Sequence, residues 1–322
     1  MDKAPKPIPF QQIIKALLND EKPFPTRYLY PLSDISPEDV ATLKRTWPKI
    51  SLQRRQAFMD DVQQFNEDDF LLNFIDIGLL AIHDPDPHVR LMAVLILAEY
   101  EGSDLVPLFL NAAENDSQVD VRAASAAALG KLVQQGELDG LPAATLKKVE
   151  SCLLRILDGQ DAKQVRLSAL EALGYSSMDE ANEYIKNAFL SGDDEWVSSA
   201  LIAMGRSYNE KWNSNVISML QDSRSSVRLE AVRAAGELEI PEAASILIDL
   251  LQDNEVSVHQ AAIWSLSQIG GNNLRDLFDS MLEVSEDDED VDLLEAALEN
   301  LEFTEGFSDL SLFDLDEDIE ED

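Results

Sequence analysis

Val227-Arg228-Leu229-Glu230-Ala231-Val232-Arg233-Ala234-Ala235-Gly236 is the stretch that reveals the architecture. Apolar or small residues stand at Val227, Ala231, Ala234 and Ala235, and again at Leu238. That spacing lays a stripe along one side of a helix. The stripe is mostly alanine, and small side chains let a neighbouring helix approach to the short end of the usual separation of about 8–10 Å. The same string recurs as Val121-Arg122 to Leu129-Gly130 and as Val165-Arg166 to Leu173-Gly174. Degenerate copies begin at Arg54, Val89, Trp196, Val258 and Asp290. The eight starts are separated by 35, 32, 44, 31, 31, 31 and 32 residues. The one long step predicts extra residues between Leu132 and Lys148.

Each period holds two helices. The first carries larger apolar residues, as in Ile246, Leu247, Leu250 and Leu251, and Pro241-Glu242 opens it where a missing N–H costs nothing. A unit of this size cannot bury its own apolar face, but stacked units can. The fold read from this is all-α, a right-handed α-solenoid of about eight helical hairpins over residues 51–302. An Asp stands five residues before the Val in four repeats, at Asp84, Asp116, Asp222 and Asp253. Such an Asp can cap the second helix or pair with the arginine of a Val-Arg step. With Arg90, Arg122, Arg166 and Arg228 this predicts a structural Asp/Arg ladder. Val197 and Val291 occupy the arginine slot and leave the ladder open at those joints.

The ends depart from the repeat. Residues 1–50 hold five prolines between Pro5 and Pro25, an amphipathic stretch at Phe10–Asn19 and a strong helix start at Ser36-Pro37-Glu38-Asp39. We read them as an N-terminal helical cap on the stack. From Asp276 to Asp322 there are 21 acidic residues and no Lys or Arg. The last repeat helix is read as ending near Glu302, followed by an acidic tail, 303–322, with Phe307, Leu312 and Phe313 set among acids. This patterning belongs to disordered segments, which either solvate or dock. Both readings stay open.

The chain of 322 residues carries 25 Lys and Arg against 62 Asp and Glu, a formal charge of −37. That balance argues against nucleic acid and anionic lipid, which require clustered base. It favours a basic protein or peptide partner. One cysteine, Cys152, excludes a disulfide framework and a cysteine-based zinc site. No apolar run approaches the ~18 residues that span a bilayer, and Met1–Pro9 has no apolar signal region. A cytoplasmic location is the expectation.

The densest grouping of potential ligands is His83-Asp84-Pro85-Asp86-Pro87-His88, where His83, Asp84, Asp86 and His88 form a weak metal candidate. An Asp-x-Asp-Pro turn also serves the junction between helices, and no cofactor is expected. There is no Gly-x-Ser-x-Gly elbow and no phosphate loop. Cys152 lies in an apolar helical stretch and reads as a core thiol. The best binding candidates are Trp196, Arg206, Tyr208, Trp212 and Trp264, since Trp, Tyr and Arg dominate interface hot spots. Second helices line the concave side of a solenoid. The same aromatics can equally fill repeat cores.

The Asp, Val-Arg, Ala, Leu-Gly pattern over residues 50–302 resembles HEAT repeats, specifically the short kind first named from phycobilisome lyases. Tetratricopeptide and ankyrin repeats share the period, but their signature residues are absent here. Tyr28–Ser36 and Trp47-Pro48-Lys49-Ile50 resemble the N-terminal part of uncharacterised bacterial HEAT-repeat proteins. The resemblance implies a non-catalytic scaffold for protein–protein interaction. Two alternatives accompany it: a lyase- or hydroxylase-like enzyme dependent on chromophore or metal, and a scaffold whose tail occupies its own groove. Di-iron hydroxylases with such repeats carry His-Glu pairs, whereas the three histidines here precede Asp84, Val89 and Gln260.

Overall fold

The computed structural model describes residues 8–69, 71–100, 102–271, 273–285 and 287–313, with side chains to Thr304. The described residues form helices and turns, with no strand among them. The helices are α1 (Phe10–Leu17), α2 (Pro37–Thr46), α3 (Leu52–Asp68), α4 (Ile75–Ala81), α5 (Pro87–Leu97), α6 (Val106–Asn115), α7 (Val119–Glu137), α8 (Ala143–Asp158) and α9 (Lys163–Leu173), then α10 (Asp179–Phe189), α11 (Asp194–Arg206), α12 (Asn213–Met219), α13 (Ser225–Glu237), α14 (Ala244–Leu250), α15 (Val256–Ile269), α16 (Leu274–Val284) and α17 (Asp288–Phe313). After α1 they alternate as first and second helices of eight hairpins. Each second helix begins two residues before the repeat start read from the sequence, from Leu52 ahead of Arg54 to Asp288 ahead of Asp290. The fold is an α-solenoid, and it divides into two compact units, 1–172 and 173–322.

In the first unit α3, α5 and α7 pack side by side, and α4, α6 and α8 lie against them. The long sequence step is not a loop. It lengthens α7 and α8, and Gly136 of α7 lies directly under Leu146 of α8. Residues ahead of α3 close over its exposed side. Phe24 and Trp47 meet Phe58 edge-on, with ring centroids 5.3 and 6.1 Å away. Arg54 donates to the carbonyls of Asn19 and Lys22. Ser36 caps α2 by accepting from the Asp39 amide at 3.2 Å.

In the second unit α11, α13, α15 and α17 form a continuous row, and each also packs on its own first helix. The alanine stripe makes the row possible. Val227, Ala231, Ala234 and Ala235 are all buried. The glycine that ends the motif brings the backbones together. A Cβ on Gly174 would lie 2.7 Å from the Ala203 Cα and carbonyl oxygen. A Cβ on Gly236 would lie 2.8 Å from Ser265 Cα, and one on Gly205 3.2 Å from Ala234 Cα. Helix backbone cannot yield as a side chain can, so glycine is required wherever consecutive second helices cross this closely.

The turns between helices are fixed by the aspartates. Asp84, Asp116, Asp222 and Asp253 each accept a hydrogen bond at 2.9 Å from the amide two residues on. They order the turn rather than capping the second helix; in α5 that cap is Asp86, which accepts from the Val89 amide. Arginines then tie each turn to the next. Arg90 Nη1 donates to the Asp84 carbonyl, while Nε and Nη2 grip both carboxylate oxygens of Asp116 at 2.7 and 2.8 Å. Arg122 does the same with the Asp116 carbonyl and Asp161. Arg228 repeats it with the Asp222 carbonyl and Asp253. Arg166 Nε donates to Leu157 O.

The joint at Val197 is bridged differently. Val197 fills the buried slot of its helix and Trp196 is half-buried, so that repeat offers no arginine there. Arg224, from the same turn as Asp222, grips Asp222 through Nε and Nη2 at 2.8 Å and donates Nη1 to Asp194 at 2.8 Å. One repeat later His259 takes the arginine position, with Nδ1 on the Leu251 carbonyl at 2.7 Å and Nε2 3.9 Å from Asp290. The final helix continues past Glu302 to Phe313. The side chains of Phe307, Leu312 and Phe313, and all of 314–322, lie outside the described residues.

Two outcomes follow. Gly→Ala in a helix interior ordinarily stabilises by about 1 kcal/mol; Gly236→Ala should instead destabilise by about 1–3 kcal/mol, because backbones must separate, and a raised Tm would show that the helices are not this close. The Arg224 guanidinium holds the Asp222 carboxyl down at about 2. A carboxylate depressed in the fold stabilises it above the ordinary value of about 3.9 and stops doing so as pH falls through the folded value. The stability gap between wild type and Asp222→Asn should therefore be full at neutral pH and close between about pH 4 and pH 2. Chemical denaturation across that range would show it, and a gap that persists at pH 2 would contradict the pairing.

Candidate functional site

The residue following the motif glycine creates a second row on the second-helix face. Lys131, Tyr175, Arg206 and Glu237 stand at this position in successive repeats, and Gln268, after Ser267, takes the equivalent position in the next. In the first unit Lys131 Nζ meets Glu99, its counterpart one repeat earlier, at 2.9 Å. In the second unit Arg206 lies over the ring of Tyr175, 5.4 Å from the centroid. Glu237 folds back over Gly205, and Gln268 over Gly236; a Cβ on those glycines would lie 2.1 Å from Glu237 Oε2 and 2.4 Å from Gln268 Oε1. The glycines thus serve as floor for the polar side chains above them.

A groove of about 360 Å³ opens here between α13 and α15. Arg233, Glu237, Gln260, Trp264 and Gln268 line it, with the small residues Ser257, Ala261 and Ser265 among them. Trp264 is 39% exposed on this face, where the α15 positions facing the core are buried. The helix that carries it is tied by its neighbouring serines: Ser265 donates to the Val232 carbonyl at 2.9 Å and Ser267 to the Trp264 backbone carbonyl at 2.7 Å. Desolvation pushes the Glu237 carboxyl above its ordinary value, with Arg206 and Arg233 opposing and Glu230 reinforcing. Tyr208, exposed just past α11 at φ +48°, has its hydroxyl pushed upward by desolvation, then by Tyr175 and Glu237.

The residues singled out in the sequence therefore separate. Arg206, Tyr208 and Trp264 belong to the second-helix side of this unit. Trp196 sits in the first turn of α11, its amide capped by Asp193 at 3.3 Å. Trp212 is buried beside α12, on the first-helix side, under the ammonium of Lys211 at 5.0 Å. Glu237, Tyr175 and Gln268 escaped the sequence reading. Their signal was positional: Tyr175 and Glu237 stand one residue beyond a motif glycine, and Gln268 stands at the equivalent place after Ser267.

Two residues of the candidate metal group make polar contacts within the fold. Asp84 accepts from Trp47 Nε1 at 2.7 Å and from the Asp86 amide, and lies 3.0 Å from Arg55 Nε. His88 meets Asp60 at 2.6 Å. Among the described residues no three His, Cys, Asp or Glu side chains come together to hold a metal ion. Cys152 is fully buried, and burial, followed by the Glu114 carboxylate, pushes its thiol up to about 12, where it is not a nucleophile at neutral pH. A larger cavity of about 690 Å³ lies in the first unit beside α2 and α4, walled by Val40, Trp47, Leu79 and Leu80 with Lys44 among them.

The chain is similar in structure to the YibA protein of Escherichia coli, at 17% identity and a TM-score of 0.44, covering 88% of this chain and 99% of that one. It is similar to the CpcE–CpcF phycocyanin lyase complex of Nostoc sp. PCC7120, at 19% identity and 0.46, covering 70% and 94%. It is also similar to human deoxyhypusine hydroxylase, at 18% identity and 0.35, covering 81% and 95%. No curated protein matches in sequence. The sequence profile of HEAT repeats matches residues 77–153 and 213–302, more than half of the chain. With the glycine-floored rows of second helices, this establishes that the chain belongs to the HEAT-repeat family.

Proposed function

We propose that this protein is a non-catalytic scaffold that binds a protein or peptide partner on the second-helix face of residues 173–304. The observation carrying this reading is Trp264, an indole left open beside a groove lined by small and polar residues. Tryptophan beside a depression is a common anchor of an interface hot spot. The helices beneath it are fixed by backbone contact, so little ordering cost is incurred when the site is filled. A charge of −37 favours a basic partner, because it speeds encounter with cations and penalises anions. The groups best suited to chemistry, Asp84, His88 and Cys152, are engaged in holding the fold, which supports a binding rather than a catalytic role.

Affinity capture from native lysate tests this, with Trp264→Ala compared against Ile248→Ala, an exposed apolar residue on the first helix α14. The partner should be lost with the Trp264 variant, kept with the Ile248 variant and weakened by added salt. Capture unaffected by Trp264→Ala, or indifferent to salt, would contradict the reading.

A further inference from the structure

The groove holds an acid without a partner. Glu237 is exposed on the wall of the groove and makes no hydrogen bond or ion pair among the described residues. The two nearby cations are engaged elsewhere: Arg206 over the Tyr175 ring, and Arg233 with Glu230 at 2.9 Å. A carboxylate left unpaired in a groove attracts a cation delivered from outside, and a guanidinium can meet both of its oxygens at once. Trp264 lines the same groove, and an indole attracts a cation over its ring. Gln260 and Gln268, neutral amides with acceptor oxygens, also line the groove. A carboxylate, an indole face and neutral acceptors together suit a flat group carrying positive charge and several N–H donors. A guanidinium meets all three requirements, whereas an ammonium lacks the planar face.

We infer that this groove seats an arginine side chain of the partner, its guanidinium bonded to Glu237 and stacked on Trp264. The inference rests on the scaffold reading and gives it a chemical class, a peptide with an arginine anchor. The small residues Ser257 and Ala261 leave the groove its volume. Gly205 is part of the site, since only glycine leaves room for the Glu237 carboxyl to fold down beside it.

Three labelled peptides test it: one of repeated Gly-Arg-Leu units, and its counterparts with citrulline or lysine in place of arginine. Citrulline keeps the shape and removes the charge. Fluorescence anisotropy on the full chain should show the arginine peptide binding about tenfold tighter than the citrulline peptide, with lysine between them. Glu237→Gln should erase the preference over citrulline while its thermal unfolding stays as wild type. Trp264→Ala should narrow the gap between arginine and lysine. Equal binding of arginine and citrulline peptides would overturn the inference and leave the scaffold reading standing, which is judged by partner capture instead. A preference that survives Glu237→Gln would also overturn it, placing the cation elsewhere on this acidic chain. Absence of binding by all three peptides would overturn it as well.

Discussion

Close approach of consecutive second helices is the constraint on which the rest depends. At Gly174, Gly205 and Gly236 the neighbouring helix leaves no room for a Cβ without displacement. Alanine and serine stand opposite, at Ala203, Ala234 and Ser265. The pairing repeats with the sequence period, so a single rule, glycine against a small residue, sets the spacing of the row from α11 to α15. Tight spacing excludes large side chains from the contact and moves the variable residues to the next position. That position is where Arg206, Glu237 and Gln268 stand, so the packing contact and the proposed binding face come from adjacent residues of one motif.

Aspartates and arginines perform a different task. They tie successive turns together at the far end of the second helices from the motif glycines, through hydrogen bonds to carbonyls and carboxylates that are largely out of water. A bidentate arginine–carboxylate pair is directional as well as strong. It fixes the register of one hairpin on the next, which apolar packing of alanines leaves loose. The Val197 joint shows how strongly such a tie is needed: Arg224 supplies the guanidinium that the repeat position lacks.

Repeat number, helix pairing and the start of every second helix were legible in the sequence because the repeat is physically enforced. A substitution for Val227 or Gly236 would break a contact repeated along the stack. The extra residues after Leu132 were visible as a spacing but not as helix, since length alone does not say whether an insertion extends α7 and α8 or loops out. Trp212 and Trp264 looked alike as residues, and only their placement on first or second helices separates a core filler from an open indole. Glu237 was hidden for another reason. An acid among 62 acids carries no compositional signal, and its isolation from partners is a property of the packed helices alone.

The central claim is that the second-helix row of residues 173–304 is both the packing core and the binding face. A photo-crosslinking residue placed at position 264, and separately at position 248, tests it most directly when the protein is exposed to lysate and irradiated. The account predicts specific adducts from position 264 and none from position 248. Adducts from position 248 with none from position 264 would contradict it and move the interface to the first helices.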